Sequence, residues 1–500
     1  MEILANLGSG FVQALTLTNL FYCFIGVTVG TFVGVLPGIG SMIAISLLLP
    51  MTFYLPADAA LVMLAGIYYG GEYGGSIASI MINLPGSASS AVTTLDGYQM
   101  TLKGRSAQAL FLTAIASFIG GSIGIVILAV FSPLLADLSL RFGPADYFSV
   151  MVLGLIAATC ITQGSVVKSC GAVVVGVLLG TVGTDVNTGI QRFTFGSFDL
   201  YDGISVVIIA MGLFGLPEII ANIGQPRHGP AKTSVRLRDM RPTREDVRQS
   251  AGPVARGGLL GSLLGALPAT GPTIAAFLAY ALEKRVSRHP ERFGTGIVEG
   301  VTGPEAANNA AAQTAFIPTL TLGIPGSATM ALILGALMIH GIPPGPRLMT
   351  EHADLFWALV ASFWIGNLLL LVLNIPLVGV WIKLLSIPYR FLFPAVVCLT
   401  CVGVYSLKLS SFDVFMVLGI CGLGYAMRLL QIDAAPLLMG LILGPMMEEY
   451  FRRAVLLSMG DLTVFLTEPI SAGVILTTVV LLIWSATKGK QLARKLEQGD

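Results

Sequence analysis

Charge is what this chain most lacks. Only 11% of its 500 residues are Asp, Glu, Lys or Arg, against about 25% in an ordinary soluble domain. That deficit excludes a string of soluble domains. With 55% hydrophobic residues and a mean hydropathy of +0.84, the chain reads as an integral membrane protein. Its 28 basic and 27 acidic residues nearly cancel, so no overall field draws nucleic acid or an acidic partner. Histidine is scarce: His228, His289, His340 and His352 are not at ligand spacing, which leaves zinc catalysis without support. No G-x-x-x-x-G-K-[ST] string is present, which argues against an intrinsic nucleotide motor. Nor is there the paired acid/base or nucleophile constellation an enzyme needs. The six cysteines, Cys23, Cys160, Cys170, Cys398, Cys401 and Cys421, lie in or beside apolar segments and do not read as a disulfide framework. Cys398 and Cys401 have C-x-x-C spacing, but within FPAVVCLTCVGVY they read as small helix-packing residues. The N-terminus, MEILANLGSG, lacks a basic region and a cleavage site and is read as mature sequence.

Glycine is in excess, 59 of 500 residues alongside 26 prolines, where about 7% glycine is average. Much of it falls in strings that occur twice. GTFVGVLPGIG at Gly30 to Gly40 matches GSLLGALPATG at Gly261 to Gly271, and NLPGSA at Asn83 to Ala88 matches GIPGSA at Gly323 to Ala328. Gly70-Gly71-Glu72 echoes Gly303-Pro304-Glu305, and GLFGLP at Gly212 to Pro217 parallels GLILGP at Gly440 to Pro445. Four pairs in one order indicate an internal duplication.

Charge placement sets the relation of the halves. The basic linker 225–256 carries eight arginines and lysines, so the second half begins in the cytoplasm, whereas the N-terminal segment, which has no Lys or Arg, is expected outside. The flanks of each L-P-x-x-G element share one face, which predicts re-entrant helical hairpins with Pro-Gly tips, since about 28 residues cannot cross twice. Spans expected at 58–82, 106–131, 145–162, 170–184 and 203–222 return the first half to the cytoplasm. An odd number of crossings makes the second copy inverted. Its spans are expected near 297–338, 353–380, 391–407, 410–427, 433–447 and 466–487, with a break around Pro318 to Gly326. The predicted fold is an all-α polytopic membrane protein of two inverted repeats with broken helices. Its parts are a first repeat at 1–224, the linker at 225–256, a second repeat at 257–487 and a cytoplasmic tail at 488–500.

Unwound backbone at membrane depth must be buried in protein or line a wet cavity, and matching breaks in two inverted halves point to a substrate site. Half-helix N-termini there offer free N–H groups and a partial positive charge to an anion. The core holds almost no Lys or Arg, so a carboxylate would be bound by N–H groups, hydroxyls and amides, with a cation sharing its charge. Ser and Thr also glue membrane helices, and glycine also permits plain close packing. Glu72 and Glu305 occupy equivalent places in the strings and are read either as proton carriers or as caps of helix N-termini. The linker is read as a solvated topology determinant rather than a lipid or partner site.

G-x-L-P-G-x-G at Gly34 to Gly40, NLPGSASSAVTTLDGYQM followed by KGRSAQAL, and GIPGSATMALILGALMIHGIPPGP closely resemble the large membrane subunit of the tripartite tricarboxylate transporters, the TctA family. The resemblance covers essentially the whole chain. It implies a bacterial inner-membrane permease that works with a small membrane subunit (TctB-like) and a periplasmic solute-binding protein (TctC-like). It also implies secondary transport of citrate or related di- and tricarboxylates, driven by an ion gradient, with sodium expected and a proton as the alternative. Family members share these motifs while differing in substrate, so the motifs mark a general carboxylate and cation site.

The expected substrate site comprises the tips Pro37-Gly38 and Pro268, Thr270 and Gly271, with the breaks Asn83, Pro85, Gly86 and Pro325, Gly326. Hydroxyls of Ser87, Ser89, Thr93, Ser327 and Thr329 complete it. The coupling ion is expected at Gly40, Glu72, Asn83, Glu305, Asn308, Asn309 and Thr314. The rival reading is an anion channel or passive pore, which also uses broken helices but is usually built by symmetric assembly of subunits. No cofactor is expected, and a homodimer is possible.

Overall fold

The computed structural model describes residues 2–36, 40–161, 165–185, 188–221, 237–267, 270–385 and 389–498. In the first half the helices are α1 (Glu2–Ala14), α2 (Leu17–Val35), α3 (Gly40–Thr52), α4 (Ala57–Ile82), α5 (Thr93–Leu102), α6 (Ser106–Ser139), α7 (Pro144–Ile161), α8 (Val166–Gly180), α9 (Val206–Ala210) and α10 (Leu216–Ala221). A short antiparallel ribbon, β1 (Gly183–Thr184) with β2 (Gln191–Arg192), joins α8 to α9. The second half holds α11 (Arg244–Gly265), α12 (Gly271–Val286), α13 (Glu299–Thr314), α14 (Phe316–Leu322), α15 (Ala328–Ile339), α16 (Pro346–Glu351) and α17 (Ala353–Asn374). It continues through α18 (Val378–Leu384), α19 (Tyr389–Lys408), α20 (Ser411–Leu429), α21 (Ala435–Leu457), α22 (Val464–Thr467) and α23 (Pro469–Gln498).

Among the described residues, four helices are long and apolar enough to cross a membrane, namely α2, α6, α17 and α20. The fold is therefore that of an all-α membrane protein. At 34 residues, α6 is about 51 Å long at ~1.5 Å per residue, which exceeds a hydrocarbon core of about 30 Å. Both L-P-x-x-G elements join helices, α2 to α3 and α11 to α12. Because α2 alone has the length of a span, the reason given for a re-entrant first hairpin, too few residues, does not apply to its first arm.

Tight seams of small residues build the core. A Cβ on Gly26, Gly30 or Gly34 of α2 would strike the backbone of Met63, Ile67 or Gly71 in α4, and one on Gly257, Gly261 or Gly265 of α11 would strike Gly303, Ala307 or Ala311 in α13. Such contact is open only to residues without a side chain at the crossing. The two seams have one spacing, and they correct the equivalence of the glutamates. In seam register Glu72 corresponds to Ala312 and Glu305 to Ala65, so the carboxylates are not symmetry mates. The strings G-G-E and G-P-E are a local likeness, whereas the register is set by the glycines opposite.

The helix breaks fall where expected, with α4 ending at Asn83 (φ 57°) and α14 at Gly323 (φ 72°), both left-handed. Asn tolerates that region and Gly adopts it freely, and Pro85 and Pro325 then prevent the helix from resuming. Two boundaries shift. Thr243 and Asp246 form a capping box, so α11 starts at Arg244 and residues 244–256 are part of that helix. Helix α23 runs without interruption from Pro469 to Gln498, so 488 marks no break in structure.

Candidate functional site: two buried glutamates beside the helix breaks

Every residue of α4 from Ala59 to Met81 is buried, and Glu72 sits near the middle. Beyond Asn83 the chain folds back along α4. Gly86 N–H donates to the Gly75 carbonyl at 3.4 Å, and Ser79 Oγ donates to the Ser90 carbonyl at 2.8 Å. A Cβ on Gly75 would lie 2.7 Å from Ser87 Oγ and 3.0 Å from Ser90 Oγ, so glycine there is what lets the broken segment lie flat. The fold-back delivers two hydroxyls to Glu72. Ser89 Oγ donates to Glu72 Oε2, Ser87 Oγ does so at 3.4 Å, and the two hydroxyls are 2.8 Å apart.

Glu305 belongs to α13, every residue of which from Gly300 to Thr314 is buried. It is held by the other half: Thr93 Oγ1 donates to Oε1 at 2.5 Å and Ser117 Oγ of α6 to Oε2 at 3.4 Å. Glu72 is near enough to act on Glu305 electrostatically, and Asn308 neighbours both. The ion pairs among the described residues lie elsewhere, as in Arg256 with Glu283 at 2.6 Å and Arg105 with Asp246 at 2.7 Å. A buried carboxylate with no cationic partner is costly unless a proton or bound cation neutralises it.

Unused polar atoms lie on the same two helices. Both amide atoms of Asn308, Oδ1 of Asn309 and Oε1 of Gln313 in α13 are buried without a hydrogen-bond partner, as is the Tyr68 hydroxyl of α4. Buried amide oxygens are normally satisfied, so those of Asn308, beside both carboxylates, and Asn309, one turn from Glu305, suit a hard cation, which takes oxygen ligands. Tyr68, one turn before Glu72, also neighbours Ser327 of the second break, so the breaks of both halves converge on one turn of α4.

The expected site residues divide accordingly. Ser87, Ser89, Thr93, Glu72, Glu305, Asn308 and Asn309 come together as described. Ser327 N-caps α15, its Oγ accepting from Met330 N–H at 3.2 Å, with Thr329, the second residue of that helix, buried. Gly40 (φ 68°) and Gly271 (φ 61°) start α3 and α12, and their Cβ positions lie 3.9 Å and 4.0 Å from the carbonyls of Gly86 and Gly326. Each hairpin therefore touches the break of its own half. Pro85 is half-buried and Pro325 buried beside them. Asn83 is exposed and three turns from Glu72, where it serves as the helix C-cap. Thr270 Oγ1 donates to the Leu264 and Leu267 carbonyls, and Thr314 Oγ1 to the Ala310 carbonyl at 3.1 Å. Pro37, Gly38 and Pro268 lie outside the described residues.

Sequence reasoning missed Tyr68 and Ser117. It also missed Tyr73, whose hydroxyl donates to Asn367 Oδ1 at 2.7 Å. Intramembrane polarity alone could have flagged Asn367. Asp96 lies in α5, just after the first break. It is fully buried and accepts from Gly296 N–H at 2.7 Å, Ile297 N–H at 3.0 Å, Gly294 N–H at 3.0 Å and Tyr280 Oη at 2.9 Å. It thereby clasps the second half's loop to the helix that follows the first break.

Helix breaks that converge on buried carboxylates and unused amide oxygens define a polytopic membrane protein with a polar site inside its helical core. The model of the tripartite tricarboxylate transporter TctA family matches residues 20–439, and the chain belongs to that family, a subunit of tripartite transporters. An uncharacterised 52.8-kDa protein of the TAR-I ttuC' 3' region of Agrobacterium vitis is 49% identical over 494 residues, 98% of each chain. An uncharacterised protein of the TAR-II ttuC' 3' region of the same organism is 50% identical over 234 residues, 46% of this chain and 97% of its own. Uncharacterised protein MJ1079 of Methanocaldococcus jannaschii is 28% identical over 210 residues, 41% of this chain and 49% of its own. No solved structure matches.

Proposed function

We propose that this subunit imports di- or tricarboxylates of the citrate type across the bacterial inner membrane by alternating access, driven by a sodium gradient. The observation that carries the reading is the pair of buried glutamates that join none of the ion pairs among the described residues and stand beside amide oxygens without hydrogen-bond partners, at two converging helix breaks. An anionic substrate entering such a site meets two carboxylates of its own sign. It binds only if cations arrive with it, and that requirement is coupling. Sodium is held by Glu305 with Asn308 and Asn309, while the substrate carboxylates meet Ser87, Ser89, Ser327, Thr329 and the N-termini of α3, α12 and α15. Protonation of Glu72 or Glu305 is the alternative way to supply the positive charge.

The family implies a small TctB-like membrane subunit and a TctC-like periplasmic binding protein that delivers substrate. Both are partners in this proposal. The halves are taken as inverted copies, with the N-terminus outside and the linker and tail inside. Lys168 Nζ donates to the Leu430 carbonyl at 2.7 Å, which puts the start of α8 and the end of α20 on one face, as that sidedness requires. Moving the hairpins against the remaining helices then exposes the site to each face in turn. A channel built on the same breaks would conduct far faster than a carrier turns over. Electrical recording of the reconstituted complex tests this: currents at carrier turnover support the proposal, and single-channel conductance overturns it.

A further inference from the structure

Helix α13, which carries Glu305, leans on α6 and α11, where a Cβ on Gly120 would strike Ala306 and one on Gly257 would strike Gly303. Between α6 and α11, outside that contact, runs a groove of about 300 Å³ walled by Phe111, Ile115 and Ile119 on one side and Val247, Ala251 and Val254 on the other. Its one hydroxyl, Ser250 Oγ, donates to the Asp246 carbonyl at 2.7 Å, so the walls offer no free polar group and do not suit a carboxylate substrate.

Length and width select the occupant. From Phe111 to Ile123 the α6 wall runs about 18 Å at ~1.5 Å per residue, close to the depth of one leaflet of an about 30 Å hydrocarbon core. Counting the open space at its mouth, 740 Å³, the mean cross-section is roughly 40 Å², about half that of a helix ~10 Å across. An extended acyl chain fits, and a partner helix does not. Exposed Leu259 and Leu263 on α11 and Val126 on α6 continue the apolar surface at the inner end, as an opening to hydrocarbon requires.

Charge marks the other end only. Pro242 and Val247 line the mouth, and around them Arg238, Arg241, Arg244 and Arg248 are all exposed. Among the described residues, Arg238, Arg241 and Arg244 take part in no ion pair, and Arg248 only approaches Glu245 at 4.0 Å. Arginine forks suit phosphate, and basic pockets between membrane helices on the cytoplasmic side take anionic head groups. We propose that the α6–α11 groove binds one anionic phospholipid, its acyl chain in the groove and its phosphate on the arginines, bracing the two helices that support α13.

The test uses the full chain, purified in mild detergent and offered equal amounts of phosphatidylglycerol and phosphatidylcholine, with retained lipid counted by native mass spectrometry. The wild type is expected to retain phosphatidylglycerol at least fivefold over phosphatidylcholine. The exposed triple variant Arg241→Gln/Arg244→Gln/Arg248→Gln should lose that preference, and Ala251→Trp should exclude both lipids. Equal retention of the two lipids by the wild type overturns the proposal. So does a triple variant that keeps the preference, which would place the anionic lipid elsewhere.

Discussion

At the residue scale the account gives the two glutamates different work. Glu305 stands beside Asn308 and Asn309, whose amide oxygens have no partner, whereas Glu72 is tied to Ser87 and Ser89 on the first break. Glu305→Gln should therefore raise the sodium concentration for half-maximal uptake at least tenfold, about 1.4 kcal/mol of lost cation binding. Glu72→Gln should act mainly on the apparent affinity for substrate. Initial uptake rates against sodium and against carboxylate separate the two, and identical profiles for both variants would contradict the assignment. The need for neutralised carboxylates was legible in the sequence, because buried acids stand out in a chain so poor in charge. Their inequivalence was not, since the residues facing the seam glycines, Met63, Ile67, Ala307 and Ala311, share no motif that a reader could align.

At the scale of elements, the broken segment after α4 depends on Gly75, and Gly75→Ala would push a methyl into Ser87 and Ser90. Overpacking of this kind costs about 1–3 kcal/mol, and here it also displaces the hydroxyls from Glu72. Uptake should fall at least tenfold while the protein still inserts, checked by transport and by thermal unfolding of the same preparation. The Asp96 clasp makes a second element-scale prediction. Asp96→Asn keeps the shape but replaces one acceptor oxygen with a donor that faces N–H groups, so amides at Gly294, Gly296 and Ile297 should exchange with deuterium faster. Unchanged exchange there would mean the clasp does not hold the loop. A third contact, Asp246 with Arg105, joins the halves at the proposed cytoplasmic face. Burial works to raise the Asp246 carboxyl, but the Arg105 hydrogen bond and the Thr243 cap outweigh it and hold it below the usual carboxylate range. A lowered folded value contributes stability above the unfolded value, near 3.9, and that stability is lost as pH falls through the lowered one. The thermal stability of Asp246→Asn should accordingly fall less steeply than that of the wild type as pH drops below about 4. The breaks themselves were legible because Gly, Asn and Pro announce left-handed caps and interrupted helices. The clasp was not, because its donors lie some 200 residues away in sequence and all but the Tyr280 hydroxyl are backbone N–H groups.

For the whole molecule, the repeated seam and the exchange between halves support the proposed alternating access. A Cβ on Gly176 of α8 would strike Leu437 of α21, and one on Gly424 of α20 would meet Gly212, between α9 and α10. Late helices of each half thus pack on the other. Sidedness can be tested with single cysteines at the exposed Phe195 and Thr295 in a cysteine-free background. An impermeant maleimide should label the first only from the periplasm and the second only from the cytoplasm. The long helices α4, α6, α17 and α20 were legible from hydropathy, while the short helices α14, α16, α18 and α22 were not, because their limits come from tertiary packing. The most direct test of the central claim is uptake of labelled citrate and other di- and tricarboxylates into proteoliposomes holding this chain, the small subunit and the loaded binding protein. The account predicts accumulation above the external concentration only under an inward sodium gradient, with much less for Glu305→Gln at the same gradient. Accumulation that persists after both sodium and proton gradients are collapsed, or that is indifferent to Glu305, would contradict it.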